Sequence, residues 1–298
     1  MRLRCAAPAT VANLGPGFDT LALAVEVRNE VVVETEAEPA VVVRGEGAGE
    51  VPEDASNLVF RSMTYLSREL GRPLPQFRME SENRIPLQRG LGSSASAVVS
   101  GLVLADRLLE AGLDPDRLLE LAADLEGHPD NVAACLQGGL VVAYLSRDGW
   151  RAERLEASPG LRPVLLVPEH ERTLTVDARR VLPRDVPLAD AAFNLGRTAL
   201  TVRALTERPE LLGAALEDRL HQSRRLALAP SARGLFEDLR ERGIPACVAG
   251  AGPSLLIFDG GAPLPDLGPG WRLLRPEIAR EGAVLDGSAD GDGDAGLL

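Results

Sequence analysis

The chain has 298 residues, 45% of them hydrophobic, which fits one large domain or two medium ones; two lobes are expected. Its formal net charge of -12 repels phosphate backbones and anionic lipid, so nucleic acid and membrane surfaces are not expected partners, and any anionic ligand must be held by a local site. No position is lysine, which excludes a Walker A loop, a protein-kinase strand lysine and a Schiff-base enzyme.

Along the chain, Val25 to Glu34 and Ala40 to Arg44 are valine-rich, broken by charge and closed by Gly45, Gly47 and Gly49, which predicts antiparallel strands. From Asn57 to Leu70, the residues Leu58, Val59, Met63, Leu66 and Leu70 recur at helical spacing before Gly71 and Pro73. The loop Pro86 to Ser96 opens directly into a helix from Ala97 to Leu109. Asp114 and Pro115 suit the N-cap and first residue of a helix that Gly127 stops. A short helix Asn131 to Gln137 and a strand Leu140 to Leu145 follow. Arg151 to Gly160 is polar without period, so the domain boundary is placed there. Beyond it come a strand at Val164 to Val167, helices at Ala189 to Thr206, Glu210 to Leu220 and Ser231 to Arg242, and strands Ala246 to Ala249 and Ser254 to Phe258 around Gly250-Ala-Gly-Pro253. Residues 286–298 are acidic and poor in apolar surface, and read as a mobile tail. Cys5, Cys135 and Cys247, odd in number and far apart, read as buried reduced thiols of a cytoplasmic protein. No apolar run has the length of a signal peptide or a bilayer span.

Four separated segments point to chemistry. In Gly90-Leu-Gly-Ser-Ser94 the glycines let backbone approach an anion, and the helix that follows aims free N–H groups at it. Alone, this also fits an ordinary loop with a serine N-cap. In Glu126-Gly-His-Pro-Asp-Asn131 a carboxylate can meet Mg²⁺, with Ser94 as a second oxygen; Asp130 equally suits an N-cap and His128 a satisfied turn residue. The segments Ala9 to Asp19 and Val248 to Ser254 are tight turns flanked by small residues.

In series, ANLGPGFD, PLQRGLGSSAS, EGHPDN and AGAGPS resemble the motifs of the GHMP kinases, most closely those of the homoserine kinases, over roughly Ala7 to Phe258. The resemblance implies an α+β fold: an N-terminal ATP-binding lobe like ribosomal protein S5 domain 2 at 1–152, and a ferredoxin-like α/β sandwich at 160–285. It implies ATP and Mg²⁺ between them. Pro86, Leu87, Gln88, Arg89, Gly90, Leu91, Gly92, Ser93, Ser94, Ala95 and Ser96 would wrap the triphosphate, and Asn57 would lie near the adenine. Glu126 with Ser94 would hold Mg²⁺, Glu120 competing with Glu126 for that part. Asn13, Asp19, His128, Arg179 and Arg225 would surround L-homoserine, with Arg224 the alternative to Arg225, and Asn131, Asp19 and Thr175 would stand at the reacting groups. A free amino acid offers a carboxylate suited to arginine forks and an ammonium suited to Asp19. The implied reaction passes the γ-phosphoryl group to the side-chain hydroxyl, a step of threonine biosynthesis. Asn131, where related mevalonate-type kinases have an aspartate, cannot act as a base and would orient the hydroxyl. Mevalonate, phosphomevalonate or a sugar are the competing substrates within the fold, and an RNA-binding module is the competitor outside it. Relatives are often dimers, and nothing in the sequence identifies an interface.

Overall fold

The computed structural model describes residues 1–258, 260–261 and 263–287. Among these residues two sheets form. The first joins β1 (Arg2–Ala12), β2 (Leu21–Glu34), β3 (Ala40–Gly45), the later strand β4 (Arg78–Asn83), β5 (Leu140–Ser146) and β6 (Gly149–Leu155), and it is extended by a late strand at Val284–Asp286. Strand β2 is long enough to serve two neighbours: Glu30 to Glu34 pair with β4, and Leu21 to Leu23 pair with β5. Its register with β1 shifts between Pro8 and Ala9, where proline cannot donate to the ladder.

Helices α1 (Leu58–Leu70), α2 (Ser93–Leu108), α3 (Pro115–Glu126) and α4 (Asp130–Gln137) cover this sheet. Their boundaries follow from local chemistry. Asn57 caps α1 by accepting from Val59 N–H, and Gly71 ends it in the left-handed region. Asp114 caps α3 with Pro115 at the first position. Met63, Leu66, Met79, Val98, Leu102, Leu118 and Val141 form the core between the layers, each such aliphatic side chain contributing about 1.5–3 kcal/mol on burial.

The second sheet has the order β10 (Trp271–Leu274), β7 (Pro163–Pro168), β9 (Leu255–Phe258), β8 (Ala246–Val248). Around it lie α5 (Thr175–Arg180), α6 (Leu188–Thr206), α7 (Leu212–Ala215), α8 (Gln222–Leu226) and α9 (Pro230–Glu241). Strands β7 and β9 are buried on both faces, and their alternation divides two cores. Val164, Leu166, Leu255 and Ile257 pack with Leu235 and Leu239 of α9. Leu165, Val167, Leu256 and Phe258 pack with Val11, Leu14, Leu21 and Leu91 of the first lobe. The lobes thus share a continuous apolar core, and the cleft above it is held by packing as well as by chain connection.

Four expectations are corrected. Strand β3 runs parallel to β4, not antiparallel, because α1 makes the crossover between them. The polar segment from Arg151 is largely strand β6, paired with β5, so the first lobe runs past 152. The segment expected as a helix at 210–220 is a 3-10 turn (Pro209–Leu211), α7 and then a loop. There the Asp218 carboxylate accepts from the N–H groups of Leu220, His221 and Gln222, which competes with a continuing helix. Strand β11 (Val284–Asp286) pairs with β1, and Arg4 bonds Asp286 at 2.9 Å, so this part of 160–285 belongs to the first sheet and the tail begins later than 286. Residues 288–298 of that tail lie outside the described residues.

Cys5, Cys135 and Cys247 are free and buried, and burial pushes the Cys5 and Cys247 thiols up to about 12, as inert thiols require. Among the described residues no helix is long and apolar enough to cross a membrane.

Candidate active site

A cleft of about 480 Å³ opens between the lobes, and all four sequence motifs reach it. The glycine-rich loop enters α2 through Gly92, which caps the helix at φ 69 and offers no side-chain hydrogen bond. The first helical bond runs from Ser96 N–H to the Gly92 carbonyl, so the N–H groups of Ser93, Ser94 and Ala95 have no helical acceptor. Those of Ser93 and Ser94, which line the cleft, and the positive end of the helix form a place for anionic oxygens. A Cβ on Gly92 would lie 1.9 Å from Thr10 Oγ1 and 3.2 Å from Asn131 Oδ1, so only glycine lets this turn sit against those two side chains.

The same close approach joins the loop to the second lobe. A Cβ on Gly90 would meet the Ala249 carbonyl at 2.0 Å. Gly250 N–H donates to Ala12 O at 3.1 Å, Thr10 N–H to Leu91 O at 3.1 Å, and Thr173 N–H to Gln88 O at 2.9 Å. The Arg89 guanidinium binds the carbonyls of Pro168, Leu87 and Glu169, so this arginine anchors the loop to the end of β7 and does not reach for phosphate with its charge. Pro86 to Ser94 line the cleft. Ala95 and Ser96 do not: Ala95 is in the core, and the Ser96 hydroxyl turns back to Ala7 O. Asn57 lines the cleft too, but its side chain is engaged by Val59 N–H and by Pro52 O.

At the end of α3, Glu126 Oε1 accepts from Ser94 Oγ at 2.5 Å. Glu120 points elsewhere, paired with Arg117 and Arg151. Among the described residues no cluster of three or more acidic, histidine or cysteine side chains could hold a metal by itself. One carboxylate with one hydroxyl is nevertheless the sparse oxygen set that suits Mg²⁺, whose remaining positions go to water and phosphate. Asp130 is the first residue of α4 and not its cap; its carboxylate accepts from Asn131 N–H at 2.7 Å and bonds His128 Nδ1 at 2.9 Å. Burial would lower the His128 pKa, but the hydrogen bond and charge of Asp130, with Glu126 behind, leave it raised. Thr10 Oγ1 donates to Asn131 Oδ1 at 2.7 Å, which keeps the Asn131 amide NH₂ on the Asp130 side, 3.5 Å away.

The loop between β1 and β2 supplies Asn13, Phe18 and Asp19. Asn13 and Asp19 have φ of 70 and 52, backbone that must be held in place. Asn13 does part of this, donating to Gly250 O at 3.1 Å and accepting from Asp19 N–H at 3.0 Å. The Asp19 carboxylate forks onto Arg179 of α5 at 3.0 and 2.8 Å. Arg225 of α8 is buried and gives Nη1 to Gly250 O at 2.7 Å, while its Nε has no partner; burial lowers its pKa to about 10. Arg224 is exposed and does not line the cleft. Thr175 lines it as the first residue of α5, exposed.

Thr10, Phe18, Asp130 and His221 are the site residues that sequence reasoning missed. Phe18 and Asp130 lie inside the quoted motifs, and Thr10 inside the segment Ala9 to Asp19. For His221 no local signal exists, since its partner is Gly15 O, 206 positions away at 2.7 Å. Its ring is fully buried, and burial lowers its pKa to about 4. The unfolded chain therefore takes up a proton between about pH 6.5 and 4 that the folded ring resists. Stability supplied by the neutral ring, present above pH 6.5, should fall by up to about 3 kcal/mol through this window. Urea midpoints measured from pH 7 to 4 should show a steeper loss in the wild type than in His221→Asn.

Residues 57–139 match the family model "GHMP kinases N terminal domain". The chain is 45% identical over 284 residues to a homoserine kinase of Clavibacter michiganensis subsp. michiganensis, covering 94% of this chain and 87% of that one. It is 47% identical over 282 residues to a homoserine kinase of Leifsonia xyli subsp. xyli, covering 93% and 85%. Its fold superimposes on the crystal structure of homoserine kinase from Cytophaga hutchinsonii with a TM-score of 0.80 at 27% identity, over 95% of this chain and 97% of that one. The α+β two-lobed architecture is thus the GHMP kinase fold, and the chain belongs to the homoserine kinases within that family.

Proposed function

We infer that this chain transfers the γ-phosphoryl group of ATP, with Mg²⁺, to the side-chain hydroxyl of L-homoserine, giving ADP and O-phospho-L-homoserine. The observation that carries this reading is the content of one cleft: the uncapped N-terminus of α2 and the Ser94–Glu126 oxygen pair lie in it together with Asp19 and the guanidinia of Arg179 and Arg225. The N–H groups of Ser93 and Ser94 bind the triphosphate. Ser94 and Glu126 would hold Mg²⁺, which would supply charge neutralisation at the phosphates.

The amino-acid end works by exchange. The Asp19–Arg179 fork satisfies both charges before substrate arrives. A zwitterion replaces it without leaving either charge bare: its ammonium takes Asp19, and its carboxylate takes Arg179 and the unpartnered edge of Arg225. Asn131, its oxygen held by Thr10, presents amide N–H to the oxygens that react. The hydroxyl oxygen bonds to the γ-phosphorus as the bridging P–O bond breaks, and the hydroxyl proton leaves to a phosphoryl oxygen or water. Positioning and charge neutralisation supply most of the acceleration.

A coupled ADP-release assay with Mg²⁺ tests the reading. L-homoserine should be used with the highest kcat/KM among L-homoserine, mevalonate, phosphomevalonate and a hexose. The analogue lacking the α-ammonium should bind far more weakly, because it leaves Asp19 unpaired. Preference for mevalonate or a sugar would refute it.

A further inference from the structure

We propose that His221 is the positioning residue of the amino-acid site: through its two ring nitrogens it fixes Arg225 relative to the loop that carries Asn13 and Asp19. This rests on the reading of Arg225 as a ligand of the substrate carboxylate. His221 and Arg225 are one helical turn apart at the start of α8, and Arg225 N–H bonds the His221 carbonyl at 3.0 Å, so both side chains share a face. Arg225 Nη1 approaches His221 Nδ1 at 3.3 Å, and His221 Nε2 meets Gly15 O at 2.7 Å. A carbonyl can only accept, so Nε2 carries the proton and Nδ1 offers its lone pair to the guanidinium.

The surrounding groups fix this arrangement. The Asp218 carboxylate accepts from His221 N–H at 2.8 Å, from Gln222 N–H at 2.8 Å and from Asn194 Nδ2 at 2.7 Å, which sets the backbone under the ring. Asp218 itself lies 3.9 Å from Nε2, too far to take the place of Gly15. Phe18 packs on the ring at 5.5 Å between centroids, and the guanidinium carbons of Arg225 and Arg179 lie 5.3 and 5.7 Å from the centre of the same Phe18 ring. Gly15, Phe18 and Asp19 belong to the first lobe, Arg179 and Arg225 to the second. The imidazole therefore spans the seam across which the substrate's ammonium and carboxylate must be received. With Nη1 clamped between His221 and Gly250 O, Arg225 Nε is left without a partner for the incoming carboxylate.

Three variants test this. His221→Phe keeps a ring and its packing on Phe18 but has no nitrogen; KM for L-homoserine should rise about tenfold or more while KM for ATP changes little, as loss of a hydrogen bond to a charged group predicts. His221→Asn places an oxygen near Nδ1 and should recover most of that loss. His221→Gln places a donor near Nε2, keeps the tie to Gly15, and should recover less. If His221→Phe fails to fold, the Asn and Gln variants alone decide: equal homoserine KM values would overturn the proposal, as would parallel changes in both substrates' KM. Arg225→Ala separates the two layers of inference. If it leaves homoserine KM unchanged, the reading of Arg225 fails; if it raises KM while His221→Phe does not, only the role of His221 fails.

Discussion

Gly92→Ala should lower kcat/KM for ATP by about 10²-fold or more while the protein still folds, since misplacing a reacting group by about 1 Å costs that much. The added methyl would lie 1.9 Å from Thr10 Oγ1, on a backbone at φ 69 that alanine adopts only with strain. Neither neighbour can yield freely. Thr10 holds the oxygen of Asn131, and its own N–H holds Leu91 O of the loop. Relief therefore has to come from rotating the loop, which turns the N–H groups of Ser93 and Ser94 away from the phosphates. Initial rates at varied ATP, read beside a circular dichroism melt, check this; a folded variant with unchanged kcat/KM for ATP would show that the turn does not hold the nucleotide.

The second large effect belongs to Glu126. Glu126→Gln keeps the shape of the side chain and a bond to Ser94 but removes the charge that suits Mg²⁺. Activity at about 1 mM Mg²⁺ should fall about 10²-fold, with partial recovery as Mg²⁺ is raised, because the loss lies in metal and charge neutralisation. Glu120→Gln provides the contrast. Glu120 sits on the surface between Arg117 and Arg151, and its removal should leave the Mg²⁺ dependence as it was. The reverse result, with Glu120 governing the Mg²⁺ dependence, would move the metal away from the end of α3.

What could be read from the chain was local. The cap at Asp114, the stop at Gly127 and the opening of a helix by the glycine-rich loop depend on residues within a few positions of one another, and the structure has them, with that helix starting at Ser93 rather than Ala97. Alternation of valine with charge told which residues form β3 but not its direction, because side-chain period carries no information on polarity of pairing. Strand β6 escaped notice because it is mostly half-exposed and lacks a clean alternation. The helix expected after Glu210 failed at Asp218, whose carboxylate binds backbone N–H groups and also Asn194 from α6. The same distinction applies to the site. Residues within the motifs were legible by type and order, whereas the burial of Arg225 beside an exposed Arg224, the held orientation of Asn131 and the tie of His221 to Gly15 depend on partners brought together only by folding.

The route of the chain bears on how the molecule comes apart. The polypeptide leaves its first sheet after Leu155, builds the other, and returns at Val284 to lie along β1. A cut near residue 156 would release no self-sufficient half: one piece would lack an edge strand, and the other would carry that strand with nothing to receive it. Melting one lobe withdraws support from the other, so thermal denaturation ought to proceed as a single event.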